Sequence, residues 1–332
     1  MSVLESLIQS LMSPMVLAFA LGVLATLLRS DLKFPEEIYA AMTIYLLFAI
    51  GLKGGAKLTG VSVSDLWKPA LAGLSLSLAI PVWTFFILQR IGKLDTINAA
   101  AIAAHYGSVS AVTFGEAQAF LGLQNLASEP FMPALLAIME VPAIIVALLL
   151  ARKSVLQGGA GPRQENRWGK VLHELLTSKG ILLLVGGLII GVLGGKKGFD
   201  QLAPVIDVPF RGVLTFFLLE VGLVTGRRLA DLGKAGPFLL GFAVILPLLH
   251  GILGAGLGHV VGLSVGGSTL LATLAASASY IAAPAAVRIA LPQASPALYL
   301  TSSLAVTFPF NVVLGIPIYY SVARAFASGA IG

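Results

Sequence analysis

The chain has 332 residues, 57% of them hydrophobic and only 11% charged, with a net charge of +6 and a mean hydropathy of +0.95. Soluble domains carry about 25% charged residues, so a water-soluble fold of this size is excluded and the surrounding solvent is lipid. The chain has no cysteine, which excludes disulfides, thiolate zinc sites and iron–sulfur ligation, and no basic run is interleaved with stacking aromatics, so no nucleic-acid partner is expected.

Hydropathy predicts ten spans, most near the roughly 20 residues that cross a bilayer. The first, 14–29, follows a segment that carries Glu5 rather than a basic signal region, and reads as a retained membrane helix. Spans two and three cover 36–53 and 66–90. Span four, 96–121, is interrupted by the small, polar stretch Gly107–Thr113 (GSVSAVT). Span five, 130–152, holds Glu140 about halfway along. The longest polar stretch follows, Arg152–Lys179, with Arg152, Lys153, Arg163, Arg167, Lys170 and Lys179 around the linker-like Gly158–Pro162. Spans six to eight cover 180–195, 209–226 and 235–260. Span nine, 266–290, carries a second interruption, Ser277–Pro284 (SASYIAAP), and span ten covers 296–325. Pro35, Pro130, Pro209 and Pro296 stand near helix starts, where a missing N–H costs least.

The two halves resemble each other. Leu46–Leu58 (LLFAIGLKGGAKL) aligns with Phe217–Leu229 (FLLEVGLVTGRRL), matching Gly51 to Gly222 and Gly55 to Gly226. Pro81 matches Pro247, Pro142 matches Pro309, and the two interruptions fall at corresponding positions. Repeats of five spans run in opposite directions across the membrane. The predicted fold class is therefore an all-α polytopic membrane protein of ten transmembrane helices in two inverted repeats, residues 1–152 and 180–332, joined by a linker at 153–179. Discontinuous helices four and nine would place their breaks at the midplane. Lys and Arg placement sets the orientation. With both termini outside, the inner loops hold Arg29, Lys33, Arg90, Lys93, the linker cations, Arg227, Arg228, Lys234 and Arg288, twice as many as the outer Lys53, Lys57, Lys68, Lys196, Lys197, Arg211 and Arg324. The linker is then cytoplasmic.

A membrane helix breaks only where the freed backbone is buried or lines a cavity, and paired breaks in two repeats point to a substrate site. The first break offers the hydroxyls of Ser108, Ser110 and Thr113, and Gly107 allows close backbone approach. In the second, Pro284 removes an intrahelical hydrogen bond. Hydroxyls and unwound carbonyls replace the water around a small cation, while half-helix N-termini suit a small anion. The competing reading is that small residues only let helices pack closely. Glu140 at the midplane costs on the order of 3 kcal/mol unless it is paired or functional, and its alternatives are a cation ligand, a proton carrier or a structural bond to Ser303 or Asn311. Glu220 is placed to reach toward Arg227 and Arg228, Glu116 to meet solvent, and His105 and His250 to be satisfied interior histidines. Phosphate-loop and zinc-protease motifs are absent, so no enzyme is predicted. A hydrolase pairing Ser108 or Ser110 with His105 ranks last.

These pieces, in this order, resemble the sodium-dependent bicarbonate transporter family. They are Pro35-Glu36, Ile50-Gly51-Leu52, Gly54-Gly55, the G-x-V-S-x-x-T of Gly107–Thr113, Glu140–Ala143, Phe210-Arg211-Gly212, His250-Gly251, Gly256-Leu257-Gly258, and Pro292 through Pro317. The resemblance implies a gate domain of spans 1, 2, 6 and 7, a core domain of spans 3–5 and 8–10, a homotrimer in the bacterial inner membrane, and elevator-like movement of core against gate. It implies sodium-coupled symport of bicarbonate, with discontinuous helices four and nine crossing at the midplane. Substrate would meet Gly107, Ser108, Val109 and Ser110 opposite Ser279, Tyr280 and Ile281. Sodium would meet Ser110, Thr113, Ser277 and Ser279, with Glu140 as the added acid. The chain departs from the family where Tyr280 replaces an Asp of the Ser-Asp-Ile-Ser-Gly-Pro pattern and Ala282-Ala283 replace Ser-Gly. A phenol is a poorer sodium ligand than a carboxylate, so either Glu140 or another acid supplies the charge, or coupling and substrate differ. The linker is shorter than in members that bind a PII-like cytoplasmic regulator. The alternatives are a sodium- or proton-coupled carrier of another organic anion, and a membrane ligand sensor without transport.

Overall fold

The computed structural model of the chain describes residue 8, residues 11–157 and residues 165–329. Glu5, the Gly158–Pro162 stretch and Arg163 lie outside the described residues, as do the side chains of Arg152, Lys153, Arg167 and Lys234. Among the described residues every regular element is helical. The helices are α1 (Pro14–Leu27), α2 (Glu36–Leu58), α3 (Val63–Arg90), α4 (Thr96–Gly107), α5 (Ala111–Leu123), α6 (Met132–Glu140), α7 (Pro142–Gln157), α8 (Glu165–Leu176), α9 (Lys179–Ile206), α10 (Phe210–Arg228), α11 (Leu232–Val260), α12 (Val265–Ala276), α13 (Ala282–Ala290) and α14 (Pro296–Ala327).

Short polar side chains set the helix starts. Ser13, Ser62, Asp95, Ser178 and Ser264 each accept a hydrogen bond from an N–H of the first turn that follows, a cap worth about 1 kcal/mol. Two long helices are interrupted by glycines with positive φ, Gly195 at 58° in α9 and Gly236 at 73° in α11. Only glycine adopts that backbone without strain. These kinks fall where the hydropathy pattern ends span six and begins span eight. Among the described residues six helical stretches are long and apolar enough to cross a bilayer: α2, α3, the α6–α7 pair, α9, α11 from Ala235, and α14. Their outward faces carry exposed Leu71, Leu78, Ile189, Leu193 and Leu249, so the protein is a multi-pass membrane protein.

The helices α1, α2, α9 and α10 pack chiefly on one another, α2 against α9 and α1 against α10. Both pairs approach backbone to backbone. Gly51 and Gly55 of α2 meet Gly187 and Gly191 of α9, and a Cβ on Gly51 would lie 3.1 Å from the Gly187 Cα. Gly22 and Thr26 of α1 meet Gly222 and Gly226 of α10 in the same way, and Thr26 Oγ1 donates to the Leu223 carbonyl at 3.1 Å. In a bilayer, where apolar burial gives no drive between helices, such close contact of small residues supplies the packing energy. The helices α3–α7 and α11–α14 form the larger group, centred on Ile102, Tyr106, Ile144, Leu148, Ala243 and Val287.

The stretch between α7 and α9 holds a helix as well as linker residues. It contains α8, on which Val171 and Leu175, one turn apart, are buried and the helix packs on α13. Leu172 and Leu176 remain exposed beside them, the pattern of a helix with one apolar face.

Candidate functional site

Both interruptions predicted from the sequence are breaks in the backbone. Between α4 and α5, Ser108 (φ −85°, ψ 159°) and Ser110 (φ −114°, ψ 114°) are extended. Between α12 and α13, Ser277 (φ −77°, ψ 163°) is extended and Ile281 precedes the second half-helix. The breaks meet. The Ser110 N–H donates to Ser277 Oγ at 2.9 Å, and the Ser279 N–H donates to the His105 carbonyl at 2.8 Å. Ser277 in turn donates to the Leu274 carbonyl at 2.9 Å, and Asn311 Nδ2 donates to the Ala276 carbonyl at 2.8 Å. Freed backbone groups at these ends thus find partners in the opposite break, in their own break and in α14, as a buried chain requires.

The local chemistry explains each position. Gly107 is wedged where a Cβ would lie 2.8 Å from Pro81 Cδ and 2.9 Å from Ala143 Cβ. Ser110 caps α5 by accepting from the Thr113 N–H at 3.2 Å, and also accepts from Thr113 Oγ1 at 3.0 Å. Ser108 Oγ donates to the Glu140 carbonyl at 2.7 Å, tying the first break to the end of α6. Ser279 Oγ accepts from the Ala283 N–H at 3.3 Å. Opposite the breaks α14 departs from α-helical winding over Thr301–Thr307 and Asn311–Gly315, the wider form that recurs at functional sites. Within it Thr307 Oγ1 donates to the Ala243 carbonyl and takes the Tyr106 hydroxyl, both at 2.6 Å.

A cavity of about 10 Å³ lies between the breaks and the four-helix group. Val109, Ser110, Ser279, Tyr280, Ile281 and Glu140 line it on one side, and Leu47 of α2 and Gly180 of α9 on the other. Among the predicted site residues, Gly107, Ser108, Thr113 and Ser277 stand behind this wall, turned to the structural contacts just given. Leu47 and Gly180 carry no chemical signal in the sequence; their position follows only from the packing of α2 and α9. Glu140 is 7% exposed, and its carboxylate lies against the first turn of α9, so that a Cβ on Gly180 would sit 2.6 Å from Oε1. Asn311 and Ser303, the alternative partners for Glu140, are committed elsewhere, Asn311 to Ala276 and Tyr319 and Ser303 to the Tyr299 carbonyl. The Tyr280 hydroxyl is buried beside Ser110 without a well-formed hydrogen bond, while its ring meets Phe308 edge-on at 5.4 Å.

Three expectations change. Glu116 is buried at 4% exposure, with Oε2 unpartnered, because α5 is enclosed by α2, α10, α12 and α14. Glu220 is also buried with Oε2 unpartnered; it lies in the field of Arg227 as expected, but not of Arg228, which is 3.6 Å from Asp231. The histidines are each half satisfied. His105 Nδ1 bonds the Ala101 carbonyl at 2.7 Å and its Nε2 has no partner; His250 Nε2 accepts from Trp83 Nε1 at 2.7 Å and its Nδ1 has none. Neither Ser108 nor Ser110 bonds to His105. Among the described residues no three His, Asp or Glu side chains group as metal ligands.

Two broken helices, bonded break to break inside an all-helical multi-pass chain, are the construction of a membrane transporter, in which irregular backbone at depth borders a buried site. Residues 14–324 match the sequence profile of the Na+-dependent bicarbonate transporter superfamily, and the chain belongs to that family. It is a Na+-dependent transporter and not an enzyme. No curated protein matches the chain.

Proposed function

We propose that the chain is a secondary active transporter that couples entry of a small anion, bicarbonate, to sodium by symport. The observation that carries this reading is the Ser110–Ser277 junction, where two half-helices end and two begin around one small cavity. The N-termini of α5 and α13 bring partial positive charge toward that cavity, with Ser110, Ser279 and the backbone around Val109 and Ile281 as anion contacts. Sodium is taken by Ser110, Thr113, Ser277 and Ser279 as their present hydrogen bonds rearrange, and Glu140 supplies the negative charge that Tyr280 does not.

The cavity is about the size that holds one water, so a polyatomic anion enters only when the walls separate. Leu47 and Gly180 form one wall and the breaks the other. That supports a gate of α1, α2, α9 and α10, a core of α3–α7 and α11–α14, and elevator-type movement between them. The exchange of partners, α1 with α10 and α2 with α9, through glycines that also match in sequence supports ten passes in two inverted repeats, 1–152 and 180–332. Both termini lie outside, and 153–179, with α8, lies in the cytoplasm. A bacterial inner membrane, a homotrimer and a PII-like regulator complete the proposal by family likeness.

Uptake of labelled bicarbonate into proteoliposomes tests it. An inward sodium gradient drives uptake, and Ser110→Ala and Glu140→Ala each lower it at least tenfold. Uptake indifferent to sodium rejects the coupling; uptake unchanged in both variants rejects the site. Tyr280 in the acid's place favours one second reading, proton-coupled transport of an organic anion, which a pH jump without sodium would then drive.

A further inference from the structure

A second, larger cavity of about 490 Å³ lies beyond Ile50 and Phe210, side chains that also border a small apolar gap beside the breaks. Its walls come from the end of α2, the end of α5 with the loop after it, and the turn between α9 and α10. Five charged side chains line it: Lys53, Lys57, Glu129, Asp207 and Arg211. Both acids are already engaged. Asp207 pairs with Lys53, and Glu129 accepts from the Ser264 N–H at 2.5 Å and from Ser264 Oγ at 3.1 Å. Lys57 and Arg211 make no ion pair among the described residues, although Lys57 shares the field of Asp207 with Lys53. The Arg211 guanidinium crosses from α10 to rest against Gly122 of α5, so it spans the mouth between the two helix groups.

We propose that this vestibule is an anion-binding antechamber in which Lys57 and Arg211 hold a small carbonate- or carboxylate-class anion before it passes Ile50 and Phe210; the onward passage rests on the transport reading above. A recess lined by an excess of one charge focuses the field and concentrates ions of the opposite sign. The planar fork of Arg211 matches the paired oxygens of that class better than it matches a spherical halide.

The absence of cysteine allows a direct test. Ala127 is exposed in the vestibule wall, so Ala127→Cys places the sole thiol there. Its labelling rates with an anionic ethylsulfonate and a cationic ethyltrimethylammonium methanethiosulfonate are each normalised to those of a free thiol. The anionic reagent is expected to be favoured several-fold, because three cations against two carboxylates leave the vestibule one net positive charge. The preference should survive Lys57→Arg with Arg211→Lys, vanish in Lys57→Gln with Arg211→Gln, and fall at high salt. Millimolar sodium bicarbonate should slow anionic labelling more than sodium chloride at equal concentration. Equal normalised rates, or a preference that survives the neutral pair, overturn the antechamber; equal slowing by chloride overturns the ligand class. Labelling needs no flux, so charge-selective labelling without uptake would reject the transport reading alone.

Discussion

Ser277 Oγ accepts the backbone N–H of Ser110 at 2.9 Å while donating to the carbonyl of Leu274 at the same distance. One hydroxyl thus serves both broken helices, which lie 167 residues apart in sequence. A buried N–H left without a partner costs about 1–3 kcal/mol.

Ser277→Ala is therefore expected to lower the melting temperature in detergent, by an amount that corresponds to about 1–3 kcal/mol, and to reduce uptake with it. A melting temperature equal to that of the parent protein would mean that water satisfies Ser110 instead.

Tyr280→Phe should behave in the opposite way. The hydroxyl is buried with only a poorly formed contact to Ser110, so its removal changes stability by less than about 1 kcal/mol. If the hydroxyl meets the substrate, uptake falls while the fold holds. Parallel loss of stability and uptake would show a structural hydroxyl, and unchanged uptake would remove Tyr280 from the site.

The close helix pairs predict a contrast between two glycines. Gly51→Ala drives a methyl into the Leu184 carbonyl and the Gly187 backbone, an overpacking that costs about 1–3 kcal/mol. Gly115→Ala meets nothing nearer than Phe210 Cζ at 3.6 Å, an ordinary contact, and gains helix propensity. Thermal unfolding of the two variants should separate them by several degrees, with Gly115→Ala at or above the parent.

Asp95 gives the pH dependence. Partial burial pushes its carboxyl up, but hydrogen bonds from the Asn98 backbone and side chain and the Ile97 backbone outweigh it and hold the carboxyl below the usual range. A carboxylate depressed in the folded state stabilises fully above its unfolded value, about pH 3.9, and the contribution is lost as pH falls through the folded value. Asp95→Ala should cost about 0.5–2 kcal/mol at pH 7, with the difference from the parent shrinking below about pH 4. A difference that stayed constant with pH would place the effect in packing rather than in the cap.

The sequence made much of this legible because membrane helices announce themselves by length and their breaks by small polar residues. Gly107, Ser110 and Ser277 stand where the backbone leaves the helix, and the Gly51/Gly222 match marks two positions with the same packing role. Other features depend on what the partner element brings. Gly187 and Gly191 look like any small residues until α2 lies against them. Glu116 resembles a solvated acid because it follows the first break toward the outer surface, and only the surrounding helices bury it. Tyr280 could be located, but its poorly bonded hydroxyl is a property of the assembled crossing. The helical character of 165–176 lies in the spacing of Val171 and Leu175, which the surrounding charge obscures.

The exchanged glycine pairs also set a timetable for biosynthesis. Gly22 of α1 waits for Gly222 of α10, about 200 residues downstream, and at ordinary translation speeds that is roughly 10 to 40 s. During that interval α1 has lipid, a chaperone or an insertase as its neighbour in place of its mate. Synthesis that stops before α9 leaves a fragment whose first two helices lack the mates of their close glycine contacts, and membrane quality-control proteases should find it quickly.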